Sequence, residues 1–234
     1  DSNIQSDFVQ VDEDTRINVK LKSGQETEIN APGPKVTHAQ FEQLLSQIRR
    51  TTNDDIVIVA GSVPNSIPSD AYAQIAQITE KTGAQLVVDA EKDLVETVLP
   101  YRPLFIKPNK DELEVMFNTT VKSDEDVIKY GKEILKKGAQ SVIISLGGDG
   151  AIYVDQHQSI KAVNPQGHVV NTVGSGDSTV AGMVAGLSMG LNVDEAFQQA
   201  VASGTATAFS EDLATRDAIE NIKSQVTISV LDGE

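Results

Sequence analysis

LVVDAEKDLVETVLPYRPLFIKPNKDELEVMF, residues 86–117, reads as strand, helix, strand, helix. Leu86 to Val88 is apolar throughout and stops at Asp89, and Leu94, Val95 and Val98 then share one face of a short helix. Leu104 to Ile106 is again continuously apolar and stops at Lys107-Pro108-Asn109, and Leu113, Met116 and Phe117 line a second helix. Strands without polar alternation, separated by helices, are what a parallel sheet covered on both faces requires. The pattern repeats outward. Upstream, Ile56 to Ala60 is a continuous apolar strand, Gly61-Ser62 a turn, and Ala71 to Lys81 a helix closed by Gly83. Downstream, Ser123 with Asp126 caps a helix bearing Val127, Ile128, Ile134 and Leu135, which ends at Gly138 before the strand Val142 to Leu146. The fold class is α/β, with a mostly parallel central sheet and helices on both faces.

The first part of the chain differs. Phe8 to Val11 and Thr15 to Leu21 alternate polar and apolar residues, and Gly24 separates the second run from Glu26 to Asn30, which predicts a small antiparallel flap. Pro32-Gly33-Pro34 breaks the chain, and Thr37 with Gln40 forms a capping box ahead of a helix whose Phe41, Leu44, Leu45 and Ile48 lie on one face. Residues 1–31 are therefore read as lid strands and 32–234 as the α/β core.

Composition narrows the partners. A formal net charge of −15 in 234 residues argues against nucleic acid, which demands a basic face. Apolar runs of five or six residues fall far short of the roughly 20 needed to span a bilayer. Zero cysteines leave neither disulfides nor a thiolate metal site, and a reducing cytoplasm is the simplest home. An anionic ligand must meet a local cluster of cations.

In open α/β sheets, ligands bind beyond the carboxyl ends of the strands. There the sequence offers Asn171-Thr172-Val173-Gly174-Ser175-Gly176-Asp177-Ser178-Thr179, between a strand read at His168 to Val170 and a helix bearing Val180, Met183, Val184 and Leu187. Two glycines turn the backbone tightly and leave amides unpaired at a helix start, which suits a phosphate. An ordinary glycine turn capped by Asp177 fits equally well. No Lys stands in the loop, so it is no Walker loop, and Thr179 occupies the place of a third dinucleotide-binding glycine. An acid inside an anion-binding loop has a use if it takes a proton from an attacking hydroxyl. Lys107-Pro108-Asn109 with Glu112 is, on its own, a helix start with Asn109 as cap and Glu112 reaching back. Ser145-Leu146-Gly147-Gly148-Asp149-Gly150 reads as a turn between strands. Arg16, Asn18 and Lys20 share one face of a strand by two-residue alternation. Asp89, just after its strand, reads as a turn cap or as a substrate-side residue, and His38, His157 and His168 are too scattered for a metal site.

Together these segments resemble the ribokinase-like, PfkB-type sugar kinases. Asn171 to Met183 is similar to that family's second signature, with Ser175 where Ala is commoner. The resemblance implies Asp177 as catalytic base and the amides of Gly174, Ser175 and Gly176 as an anion hole. It implies that Lys107 and Asn109 lie near the ATP phosphates, that Asn109 and Glu112 help hold Mg²⁺ through water, and that Ser145, Gly147, Gly150 and Ser203 border the nucleotide, although helix packing explains Ser203 equally well. It implies that Arg16, Asn18 and Lys20 sit on a lid strand and bind the phosphate of a phosphorylated ketose. The lid, Gly61-Ser62-Val63-Pro64 and Phe209 to Thr215 resemble most the sub-family that converts fructose 1-phosphate and ATP to fructose 1,6-bisphosphate. A tagatose 6-phosphate kinase is the alternative within the class, and a regulator that has lost turnover the alternative outside it. A nicotinamide-dependent dehydrogenase fails on the missing third glycine. The resemblance also implies a homodimer through the lid. It further implies an amino-terminal segment with a sugar-binding Asp and a Gly-Gly-x-Gly loop, which has no counterpart in these residues and without which no activity is expected.

Overall fold

The computed structural model describes residues 4–23 and 25–233, and for residues 20–23, 25–28, 30 and 233 the backbone alone. The chain forms two compact units, one of Asp1–Val57 with Gly61–Gln85, the other of Ile58–Ala60 with Leu86–Glu234.

In the first unit, β1 (Asn18–Ser23) and β2 (Gln25–Asn30) form a two-stranded antiparallel sheet, with Val19 opposite Ile29. Helix α1 (His38–Ile48) starts at the expected capping box: the Gln40 amide donates to Thr37 Oγ1 and the Thr37 amide to Gln40 Oε1. Phe41, Leu45 and Ile48 are buried, whereas Leu44 stays 37% exposed at the rim of the apolar stripe. The strand read at Phe8 to Val11 does not form. That segment is strapped along α1 by side chains: Gln40 Nε2 donates to the Gln10 carbonyl at 2.8 Å and Gln47 Nε2 to that of Asp7 at 2.7 Å. The carbonyls of Asp7 and Gln10 are thereby met without a partner strand. Helix α2 (Ala71–Thr82) ends where expected, at Gly83 with φ 82°.

The central sheet runs in the order β3 (Ile56–Ala60), β4 (Gln85–Asp89), β5 (Phe105–Ile106), β6 (Ser141–Ser145), β7 (Ala151–Val154), β8 (Gln158–Val163), β9 (Thr227–Gly233). It is mixed. β4, β5 and β6 are parallel, while β6 to β9 form an antiparallel meander. The change of direction follows from the five residues between β6 and β7, since a parallel return needs a crossover of a dozen or more. Helices of the second unit are α3 (Lys92–Val98), α4 (Lys110–Phe117), α5 (Asp124–Lys137), α6 (Ser175–Ser188), α7 (Val193–Ala208) and α8 (Arg216–Lys223).

Two neighbouring residues of β7 show that both faces are covered. A Cβ at Gly131 of α5 would lie 3.0 Å from Val154 Cγ2, while the ring of Tyr153 lies 5.8 Å from that of Phe197 in α7. Successive strand side chains point to opposite faces, so α5 and α7 do too. Enclosing Phe197 completely contributes on the order of 1.5–3 kcal/mol.

Helices α6 and α7 approach closely because small residues face each other. A Cβ at Gly186 would lie 2.8 Å from Ala196 Cα, one at Gly182 2.9 Å from Ala200 Cα, and one at Gly204 3.0 Å from the Ser175 carbonyl oxygen. Position 186 meeting 196 while 175 meets 204 makes the pair antiparallel. The strand read at His168 to Val170 is absent. The amides of Val170 and Asn171 both donate to the Ala208 carbonyl, at 2.8 and 3.1 Å, and so close the end of α7 instead of joining the sheet. Among the described residues no helix is long and apolar enough to cross a membrane.

Candidate active site

Gly174 adopts the left-handed conformation, φ 80°, and precedes α6 as its N-cap. The Ser178 amide donates to the Gly174 carbonyl at 2.8 Å, but among the described residues the amides of Gly176 and Asp177 find no backbone acceptor. They are the orphan donors of a helix start, where the dipole is positive. The loop is anchored to α7: Ser175 Oγ donates to the Gly204 carbonyl at 3.0 Å, and Ser178 Oγ and Thr207 Oγ1 lie 2.9 Å apart. Asp177, the third residue of α6, is exposed.

The parallel register of β4 and β5 pairs Val88 with Ile106, so their successors Asp89 and Lys107 emerge side by side. Lys107 Nζ lies 3.3 Å from Asp89 Oδ1, with only 8% and 18% of the two side chains exposed. Asp89 is thus half of an ion pair and not the turn cap its position suggested. A Cβ at Gly176 would sit 3.3 Å from Lys107 Nζ, so this glycine lets the ammonium reach the orphan amides. Burial, above all, raises the Asp89 carboxyl above the usual carboxylate range; the Lys107 charge and hydrogen bond oppose this, and the negative charge of Asp177 adds to it. Asp89, Lys107 and Asp177 therefore form one electrostatic cluster around Gly176.

Lys107→Met isolates that buried carboxylate. A loss of about 3–5 kcal/mol of stability is expected near neutral pH, as for a broken buried pair. In the variant the folded-state pKa of Asp89 rises further, so the penalty is present above that pKa and is relieved as acidification protonates the group. Denaturant unfolding of wild type and variant at pH 5 and pH 8 checks this; a gap equal at both values would mean that Asp89 does not carry the effect.

Asn109 and Glu112 form the reciprocal box expected of a helix start: the Asn109 amide donates to Glu112 Oε2 and the Glu112 amide to Asn109 Oδ1, each at 2.8 Å. Asn109 also bridges to Ser145, whose amide donates to the Pro108 carbonyl at 3.1 Å. Among the described residues no group of three or more His, Cys, Asp or Glu is placed to hold a metal. One carboxylate beside one carboxamide suits a Mg²⁺ ion whose other ligands are water and phosphate oxygens.

These elements open on a cavity of about 740 Å³. Lys107, Asn109, Ser175 and Gly176 line one part, Ser145, Gly147 and Gly150 the glycine turn, and Pro165, Val201, Ala208 and Phe209 an apolar part. Gly150 is required there: with φ 92°, a Cβ would fall 1.9 Å from the Ala162 carbonyl oxygen. Of its two readings, Ser203 takes the packing one. It is 4% exposed, donates to the Gln199 carbonyl at 2.8 Å, and faces Gly182 of α6, where a Cβ would come within 2.6 Å of its Oγ. Helical rotation turns its neighbours Gly204 and Thr205 to the cavity instead. Asn164 and Thr205 were not legible in advance, because they lie on a structureless connection and the buried end of a helix, while Phe209 was singled out only as part of the Phe209 to Thr215 resemblance. In the first unit, Arg16 Nε donates to Asn18 Oδ1 at 2.7 Å and its Nη1 bonds Ser62 Oγ, which groups two of the three proposed phosphate-binding side chains; the side chain of Lys20 lies outside the described residues.

A glycine loop at a helix start, an exposed aspartate within it and a nucleotide-sized cavity beyond the sheet's carboxyl ends are parts of a phosphotransferase. The chain belongs to the pfkB family of carbohydrate kinases, whose model matches residues 1–218. It is 41% identical to 1-phosphofructokinase of Bacillus subtilis over 231 residues, spanning 99% of this chain and 76% of that protein. It is 35% identical to D-tagatose-1-phosphate kinase of Bacillus licheniformis, spanning 97% and 75%. A crystal structure from Staphylococcus aureus superposes with a TM-score of 0.90 at 81% identity, covering 99% of this chain and 76% of that one. Phosphofructokinase-2 of Escherichia coli in complex with potassium superposes with a TM-score of 0.82 at 28% identity, covering 90% and 70%. The reading as an ATP-dependent sugar kinase holds.

Proposed function

We propose that this chain transfers the γ-phosphoryl group of ATP to the free terminal hydroxyl of fructose 1-phosphate, giving ADP and fructose 1,6-bisphosphate. The observation that carries it is the exposed Asp177 carboxylate set among the free amides of α6, with the Lys107 ammonium behind Gly176. The 41% identity to the Bacillus subtilis enzyme supports the choice of sugar. Asp177 accepts the proton of the attacking hydroxyl as the new P–O bond forms and the bond to the ADP oxygen breaks. The amides of Gly176 and Asp177 and the Lys107 ammonium lie where negative charge grows on the transferred group and need little reorganisation to meet it, whereas the Ser175 amide is held by the Thr172 carbonyl at 3.2 Å. Asn109 and Glu112 would hold Mg²⁺, which supplies neutralisation of the nucleotide phosphates. Ser145, Gly147 and Gly150 form the wall against the nucleotide, and the Arg16–Asn18 pair, with Lys20, is the proposed contact for the phosphate already on the sugar.

Because the reaction consumes ATP, the proposal places it in the cytoplasm. A homodimer through β1 and β2 belongs to the same proposal, supported by Ile17, Val19 and Ile29, which are 66%, 42% and 57% exposed.

The relative named D-tagatose-1-phosphate kinase favours a second reading, in which the acceptor is the epimeric ketose 1-phosphate. Steady-state turnover of the full-length protein with ATP, Mg²⁺ and each of fructose 1-phosphate, tagatose 1-phosphate and tagatose 6-phosphate separates the readings. The highest kcat/KM is expected for fructose 1-phosphate. A preference for a tagatose phosphate moves the assignment to that sugar, and nucleotide binding without ADP release from any of the three points to a regulator.

A further inference from the structure

The glycine turn after β6 forms a wall of the large cavity, yet little packs against it. A Cβ added at Gly147 or Gly148 would meet nothing within 4 Å, and Gly147 has φ 61°. A second cavity, of about 310 Å³, is also lined by Gly148 and Asp149, so open space lies against this turn in two places. A wall without side chains or packing must take its shape from hydrogen bonds. Within the turn, the Leu146 amide donates to the Gly150 carbonyl at 2.8 Å and the Gly150 amide to that of Gly147 at 3.2 Å. From outside, Asn164 Nδ2 donates to the Gly147 carbonyl at 3.0 Å and reaches that of Gly148 at 3.5 Å.

Asn164 is itself oriented. Thr205 Oγ1, on α7, donates to Asn164 Oδ1 at 2.9 Å, and Thr205 is 6% exposed. A flipped carboxamide would turn its oxygen toward carbonyls that can only accept, so one orientation is selected. The next residue of interest on α7 is Gly204, whose carbonyl holds Ser175 Oγ of the glycine loop. Thr207, two residues beyond Thr205, pairs with Ser178. One helix thus holds both the phosphate-facing loop and, through Asn164, the glycine turn.

We infer that Asn164, oriented by Thr205, is a positioning residue for the nucleotide: it sets the turn at Gly147–Gly148 in register with the loop at Gly174–Asp177. The inference rests on the reading of the large cavity as the nucleotide site. Asn164 also lines the cavity, but its carboxamide is engaged by the turn and by Thr205, so its loss acts through the turn and weakens nucleotide binding while sparing the sugar.

Titration of the full-length protein with ATP, together with steady-state kinetics in both substrates, tests this with Asn164→Asp, Thr205→Val and Thr205→Ser. Asn164→Asp replaces the donor by an acceptor and is expected to raise the ATP Kd and KM by about tenfold, equivalent to about 1.4 kcal/mol. The sugar KM is expected to stay unchanged. Thr205→Val is expected to shift the ATP constants in the same direction, and Thr205→Ser, which keeps the hydroxyl, to restore most of that loss. An Asn164→Asp protein that binds ATP as the wild type does, or whose sugar KM rises in step with its ATP KM, overturns the inference. So does a Thr205→Ser protein no better than Thr205→Val. Wild-type protein that fails to bind ATP overturns the nucleotide-site reading itself. Wild type that binds ATP but phosphorylates no sugar overturns the proposed reaction alone, since the titration needs no sugar.

Discussion

Asp177→Asn is expected to lower kcat by about 10²–10⁴-fold, the usual contribution of a positioned general base. The KM values for ATP and sugar are expected to change by less than about threefold, because an interaction needed only in the transition state leaves ground-state binding largely intact. The fold tolerates the change. Asp177 is exposed in the first turn of α6, where its charge complements the helix dipole, so the stability loss is about 0.3–1 kcal/mol. A second readout follows from the cluster: the Asp177 charge helps to raise the Asp89 carboxyl, so the variant should titrate Asp89 at lower pH than the wild type. Carboxyl chemical shifts followed against pH report that movement, while single-turnover kinetics report the chemical step. A variant that keeps near-normal turnover sinks the assignment of Asp177 as base.

Gly204→Ala is expected to destabilise the protein by about 1–3 kcal/mol, the cost of an extra methyl in a tight core. Its Cβ would fall 2.2 Å from Thr179 Oγ1 and 3.0 Å from the Ser175 carbonyl oxygen, and the second of these is backbone in the first turn of α6. The helix start therefore has to move, and with it the amides of Gly176 and Asp177. A displacement near 1 Å costs about 10²-fold in turnover when positioning does most of the work. Gly186→Ala is the matched comparison. It crowds Ala196 at 2.8 Å, at the other end of the same helix pair and away from the loop. Comparable melting losses with a much larger drop in kcat/KM for Gly204→Ala are expected. Equal drops in kcat/KM would mean that the α6–α7 contact acts on activity only through global stability.

The comparison of sequence with structure follows the range of the forces involved. Strand and helix placement from β4 to β7 was legible because burial on both faces leaves continuous apolar runs, whereas β3 is an edge strand whose apolar run leaves Ile58 45% exposed; caps such as Thr37–Gln40 and Asn109–Glu112 are local chemistry. The failures share a cause. Phe8 to Val11 alternates and His168 to Val170 is apolar at two of three positions, but the Gln10 carbonyl is taken by an α1 side chain and the Val170 amide by the end of α7, partners that no local pattern shows.

The same division runs through the site. The glycine loop, its aspartate and the Lys107–Glu112 segment were visible as spacings, because amide geometry and helix capping act over a few residues. Ser203 was placed in the nucleotide wall by analogy of position, and the rotation of α7 turned it to α6 instead. Sequence by itself determined the α/β class, the loop that presents free amides and the carboxylate beside them. Only the tertiary structure decided that Asp89 pairs with Lys107 and that Asn164 and Thr205 support the glycine turn. Those contacts join residues 17 to 41 positions apart, and their energies depend on register, burial and helix rotation, which exist only once the chain has packed.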